Sequence, residues 1–105
     1  HRFFHDCEEM DHACFHLDAI LAPFIHRWRQ DGYEVIVTAD HGQDARGHHG
    51  GTGEEQRDFA FYYFGSSALP GEDEVLDQLA LAPSILTRMG VPVPSTMTAK
   101  PFFTP

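Results

Sequence analysis

Val35-Ile36-Val37-Thr38-Ala39-Asp40-His41-Gly42 is the stretch that decides how this chain is read. Its first four residues are mostly β-branched, and branching at Cβ favours the extended backbone of a buried strand. The strand then runs into a carboxylate, an imidazole and a glycine. Open α/β sheets carry their chemistry just beyond the carboxyl ends of their strands. A second cluster follows, Arg46-Gly47-His48-His49-Gly50-Gly51-Thr52-Gly53. Carboxylate and neutral imidazole are ligand types that suit zinc, manganese or iron. Asp40, His41 and His49 are therefore the expected holders of divalent metal.

Adjacent residues of a strand point to opposite faces. Asp40 and His41 reach one site only if the chain leaves strand geometry between them, and Gly42 permits that turn. The plainer alternative is a capping Asp followed by a solvated His, because an Asp-His pair by itself is a weak signal. The glycines around His48 and His49 let backbone close around an ion. A mobile surface turn is the alternative there.

Upstream of the strand, Met10, Cys14, Leu17, Leu21, Phe24, Ile25 and Trp28 recur at steps of three and four. That is one apolar face of an amphipathic helix running to about Gln30. Asp6, with Glu9 three residues on, reads as its N-cap. Arg27 and Arg29 suit its last turn, and Gly32 its left-handed stop. The strand itself, Tyr33 to Thr38, is so uniformly apolar that both its faces are expected to be covered.

Downstream, the glycine loop spans residues 42–53, and Phe59 to Phe64 reads as a second, aromatic strand. Gly65-Ser66-Ser67 and Leu69-Pro70-Gly71 are turn signals. Glu72 to Leu81 is open between short strand and helix. Pro83 fits the first turn of a helix through Met89, with Ile85, Leu86 and Met89 facing inward and Gly90 stopping it. Val91-Pro92-Val93-Pro94 is extended by proline sterics, and the tail from Ser95 is loop. Helix, strand, loop, strand, helix is an α/β arrangement. Two strands are few for an independent domain, which suggests a partner portion elsewhere.

The 105 residues suffice for one small core. With 16 acidic residues against 7 Lys and Arg, the formal charge is -9. Such a surface repels phosphate backbones and argues against general nucleic-acid binding. A bound cation would still draw in a small phosphorylated substrate locally. Cys7 and Cys14 lie two helical turns apart, about 10 Å, beyond the reach of a disulfide. Nothing demands an oxidising compartment, which slightly favours the cytoplasm. No apolar run approaches the ~20 residues of a membrane span.

Thr38-Ala39-Asp40-His41-Gly42, then His49-Gly50-Gly51 with Glu54, Glu55 and Arg57, then an apolar strand, resembles the C-terminal metal-binding portion of the alkaline phosphatase superfamily. The type I phosphodiesterase/nucleotide pyrophosphatase family is the branch it looks most like. Leu81 to Leu86 and Gly90 to Pro94 are similar to that family's closing helix and the extended piece after it. The helix carrying Leu17 to Leu21 resembles the one before the family's Asp-His-Gly strand. The likeness thus covers nearly the whole chain, and residues 1–105 read as one C-terminal segment of an alkaline-phosphatase-like α/β/α sandwich.

The resemblance implies that Asp40 and His41 bind the metal that activates the nucleophile, and His49 the second metal. His48 is the weaker candidate, since the glycine follows His49. His1-Arg2-Phe3 is similar to the end of a family Gly-His pair, which makes His1 a further ligand of the second metal. Phe4 and Cys7 depart from the pattern, standing where the family often has Gly and Ser. The family's nucleophile, a Thr or Ser, and its first metal-binding Asp fall upstream of these residues; Thr52, Ser66 and Ser67 are poor substitutes. The implied activity is hydrolysis of phosphodiester or pyrophosphate bonds, nucleotides included, with two ions about 4 Å apart. Zinc is the expected metal and manganese the alternative. An N-terminal portion of the same protein would complete the site, and the 105 residues alone are expected to turn over little or nothing. The rival readings are a phosphomutase or phosphomonoesterase of the same superfamily, and a non-catalytic α/β module.

Overall fold

The computed structural model describes residues 7–71 and 74–105. The chain divides after Gly65 into two compact units. The first holds helix α1 (Glu8–Gln30), strand β1 (Val35–Thr38), a one-turn helix α2 (Glu54–Arg57) and strand β2 (Phe61–Phe64). The second holds a 3-10 turn (Gln78–Ala80) that runs directly into helix α3 (Leu81–Arg88).

α1 ends where the sequence places its end. The Asp31 N–H bonds back to the Arg27 carbonyl, and Gly32 adopts φ 88°. A left-handed residue at this point is nearly always glycine, because a Cβ would meet the following carbonyl. The expected cap Asp6 and its neighbours 1–5 lie outside the described residues. The N-cap is Cys7, whose carbonyl accepts the Met10 and Asp11 amides and whose side chain makes no capping bond. Three acidic residues, Glu8, Glu9 and Asp11, sit in the first turn, where negative charge complements the helix dipole.

The apolar stripe of α1 needs correction as a buried face. Met10, Leu21 and Ile25 are half-buried, but Cys14, Leu17, Phe24 and Trp28 are exposed. Phe24 and Trp28 pack on each other, ring centres 5.8 Å apart. The strand faces need the same correction. Val35, Ile36 and Val37 are half-buried rather than enclosed. A sheet of two four-residue strands is narrower than the stripe of a 23-residue helix, so neither can cover the other.

β1 and β2 pair antiparallel in the register Val35 with Phe64 through Thr38 with Phe61. β2 alternates, Phe61 and Tyr63 turned inward and Tyr62 and Phe64 outward. The expected strand start at Phe59 and the plain loop before it are replaced by α2 and an extended approach. At the open end of the pair, the Thr38 hydroxyl donates to the Ala60 carbonyl at 3.0 Å. Everything between Ala39 and Ala60 thus leaves from one clamped strand end.

In the second unit the core is Ala80, Pro83, Ser84 and Phe103. This replaces the inner face expected from Ile85, Leu86 and Met89: Ile85 and Leu86 are half-buried and Met89 is 69 % exposed. α3 begins two residues before Pro83, which shifts the buried stripe. Ser84, fully buried, donates to the Ala80 carbonyl and accepts the Phe102 N–H at 2.8 Å. The loop tail is thereby fastened to α3. Gly90 at φ 69° and the Val91 N–H bond to the Leu86 carbonyl end the helix as its glycine foretold.

The mixed helix and small sheet are compatible with the α/β class. No described helix is long and apolar enough to cross a membrane. No disulfide joins Cys7 to Cys14.

Candidate metal centre

β1 delivers Asp40 and His41 two and three residues past its last paired position, Thr38. Asp40 is 88 % exposed at its side chain and His41 42 %. The Asp40 Oδ1 lies 3.6 Å from His41 Nε2. The other ring nitrogen, Nδ1, is 2.8 Å from the Gly42 carbonyl. A carbonyl only accepts, so this bond places a proton on Nδ1 and leaves Nε2 with the lone pair. Fixing the tautomer through the distal nitrogen is how metal-binding imidazoles are prepared for an ion.

The loop then doubles back. The Gly42 N–H donates to the Gln56 carbonyl at 2.9 Å. A Cβ at Gly42 would collide with the carbonyl oxygens of Glu55 and Asp58. Glycine is required here for the close approach of two backbones. Two turns later the chain brings His49 onto His41. Their rings stack with centres 4.9 Å apart and planes inclined by 19°.

His48 goes elsewhere. Its Nδ1 lies 3.5 Å from Asp44 Oδ2, and its backbone N–H donates to Asp44 Oδ1 at 2.8 Å. The same Oδ1 accepts the Arg46 N–H at 2.9 Å, and Oδ2 accepts from Gln56 Nε2 at 3.3 Å. Backbone bonds from Asp44 N–H to His48 and from Gly47 N–H to Asp44 close the turn. Gln43 Nε2 donates to the Gly47 carbonyl at 3.0 Å. The Asp44 carboxyl is held below its ordinary 3.8, chiefly by the His48 amide; burial opposes the shift and the Arg46 amide adds to it. Gln56 Oε1 accepts the Gly53 N–H at 3.4 Å, the one side-chain bond that starts α2.

The sequence reading passed over Asp44 and Gln56. The signal for Asp44 was present: an Asp two residues before Arg46, with Gly47 after it, is a turn-forming pattern in which the side chain caps nearby amides. Gln56 carried a local signal only for its bond to Gly53, as the Gln at N3 of a short helix; its partners Asp44 and Gly42 are brought to it only by the return of the loop.

Asp40 and His41 are therefore side by side, and His49 is stacked on His41. His1 lies outside the described residues. Thr52 is exposed in the glycine loop, and Ser66 and Ser67 belong to the second unit, where they bond Arg88 and Thr104. Among the described residues no three His, Cys, Asp or Glu side chains converge on one point to hold an ion. The convergence is pairwise.

The pairwise arrangement can be tested against the geometry of an ion. Ligands about 2.0–2.1 Å from a tetrahedral zinc stand ~3.3 Å from each other. The 3.6 Å from Asp40 Oδ1 to His41 Nε2 is close to that edge. An imidazole binds an ion in its own ring plane, and stacked planes inclined by 19° do not meet within a bond length of either ring. His41 and His49 as placed suit two neighbouring ions and not a single shared one. The donor types are those that divalent metals take, brought together among the described residues only in pairs.

No family model matches the chain, and no solved structure matches it. Known proteins do. Over 91 residues it is 31 % identical to the catalytic subunit of GPI ethanolamine phosphate transferase 3 of Mus musculus, and 29 % identical to that of Homo sapiens. Each match takes in 82 % of this chain and 8 % of the relative. Over 100 residues it is 35 % identical to the 2,3-bisphosphoglycerate-independent phosphoglycerate mutase of Aeromonas salmonicida, which takes in 90 % of this chain and 18 % of that protein. The chain spans less than a fifth of the length of each relative. These likenesses support a relationship at the level of the alkaline phosphatase superfamily and favour no branch within it.

Proposed function

We propose that this chain supplies part of a two-metal site for phosphoryl transfer, as the C-terminal segment of a larger protein with an alkaline-phosphatase-like α/β/α sandwich. The observation that carries the reading is the placement of three donors: Asp40 and His41 at tetrahedral-edge spacing, and His49 stacked beside them. Asp40 and His41 would hold one ion and His49 its neighbour, with His1 as a further ligand of the second. Zinc suits a set of carboxylate and imidazole, and manganese is the alternative. Such ions, when bound, lower the barrier by activating the attacking oxygen and neutralising charge on the phosphoryl group. The chain's own part is to orient: the Gly42 carbonyl keeps a proton on His41 Nδ1, and the Thr38 to Ala60 bond fixes the strand end from which Asp40 leaves.

The substrate we propose is a small phosphodiester or pyrophosphate, nucleotides included. An acidic chain does not attract a nucleic-acid backbone, whereas a local cation attracts a small phosphorylated molecule. A specific observation favours a second reading: the relatives are named as a transferase and a mutase, so the acceptor in place of water would be a hydroxyl group.

The test is metal content and turnover in the intact protein containing these residues. About two divalent ions per chain are expected, and Asp40→Ala should abolish hydrolysis of a chromogenic phosphodiester. Undiminished hydrolysis in that variant would sink the enzyme reading, and no stoichiometric metal would favour a non-catalytic module. Transfer to an added hydroxyl acceptor in preference to water would select the second reading.

A further inference from the structure

The loop from Gly42 to Gly53 is rich in glycine, and glycine-rich backbone gains nothing from its own side chains to hold one shape. Yet the two adjacent histidines within it are separated by role: His48 against Asp44, His49 against His41. Two side chains account for that order. Asp44 accepts two backbone amides on one oxygen and reaches His48 and Gln56 with the other. Gln56 donates to Asp44, accepts from Gly53, and through its own carbonyl receives the Gly42 amide. Gly42 begins the loop, Asp44 lies in its first turn, and Gly53 closes it. The glutamine side chain therefore ties the first turn of the loop to its end, and the backbone of the same residue holds its beginning. Gly51 fits against the same side chain: a Cβ there would strike the Gln56 amide.

We infer that Asp44 and Gln56 are positioning residues, which set the distance between His41 and His49 and so the spacing of the two ions those histidines would hold. This deepens the metal-site reading and rests on it. Neither residue is among the donors proposed to hold the ions. Each acts through backbone: Asp44 anchors the amide of His48, one residue before His49, and Gln56 anchors the loop ends. Asp44 also occupies His48, which keeps the adjacent imidazole from competing for the place of His49.

The experiment compares Asp44→Ala, Asp44→Asn and Gln56→Ala with the unaltered protein by nuclear magnetic resonance, followed by zinc titration. Contact between the ring protons of His41 and His49 is the primary readout, and the amide resonances of Val35 to Thr38 and Phe61 to Phe64 report whether the sheet is intact. In Asp44→Ala the ring contact is expected to vanish while the sheet resonances persist, with zinc affinity reduced about 10- to 100-fold, as for outer-shell partners of metal ligands. Asp44→Asn retains the oxygen that accepts both amides but sets an NH2 group against Gln56 Nε2, and should weaken the contact less than Asp44→Ala. Gln56→Ala, the milder change should Asp44→Ala not fold, is expected to weaken it. Ring contact unchanged in Asp44→Ala or in Gln56→Ala overturns the inference. If the unaltered protein takes up no zinc while the ring contact still depends on Asp44, the positioning role stands and the metal reading falls.

Discussion

The imidazole of His41 stacks on that of His49, ring centres 4.9 Å apart, although seven residues, two of them glycines, separate them along the chain. Rings stacked at 19° present their nitrogens in separate planes, so in the proposed two-metal reading each would serve its own ion. His49→Ala in the intact protein should therefore remove about one of two bound ions and leave the one on Asp40 and His41. Turnover should fall on the order of 100-fold or more, since each ion stabilises charge that the other does not. Metal analysis beside a phosphodiester assay checks this; loss of both ions together would point to a shared site.

Acid should act on the same centre through the ligands. An imidazole that takes up a proton has no lone pair left for a metal, so metal binding competes with protons. Activity is expected to decline in mild acid and to return with added zinc. Full activity at about pH 5 without added metal would contradict histidine ligation.

The loop has an acid limit of its own, at lower pH. The Asp44 carboxyl is held below 3.8 because its charged form accepts the His48 and Arg46 amides. A depressed carboxyl stabilises the fold above its unfolded pKa, and the contribution is lost as pH falls through the lowered value. Amide exchange at Arg46 and His48 should accelerate below about pH 4, while exchange in β1 and β2 does not. In Asp44→Asn the acceleration should be absent.

Gly42→Ala and Gly50→Ala separate crowding from backbone strain. At Gly42 a Cβ meets the carbonyls of Glu55 and Asp58, backbone that cannot move without opening the loop. At Gly50 nothing lies within 4 Å, and the only penalty is φ +83°. Gly50→Ala is expected to cost about 1–2 kcal/mol. Gly42→Ala is expected to cost more, about 1–3 kcal/mol from overpacking together with the Gly42 to Gln56 bond of about 1 kcal/mol. Chemical denaturation of the two variants checks the order.

Ser84→Ala should loosen the second unit. Removing the hydroxyl takes the acceptor from the Phe102 amide beside the buried Phe103, while the Ala80 carbonyl, at the N-cap of α3, keeps its place at the start of the helix ladder. An unpaired buried polar group costs about 1–3 kcal/mol. Thermal unfolding should show the loss, and amide exchange at Phe102 should rise most.

Much of this was written in local sequence. The period of three and four from Met10 to Trp28 marks α1, Gly32 and Gly90 mark helix ends, and the run Val35 to Thr38 marks β1, because each depends on residues a few positions apart. Asp40, His41 and His49 could be named as candidate ligands from sequence alone, because carboxylate and imidazole are recognisable by residue type wherever they stand. Burial was not legible. Leu17, Phe24 and Met89 fit an apolar stripe yet lie exposed, since a stripe states which face wants cover and not whether a neighbour is wide enough to give it. Nor were the partners of the loop. Which of two adjacent histidines meets His41 was decided by Asp44 and by Gln56, the latter twelve residues further on, and a contact at that separation exists only after the chain has folded back through Gly42.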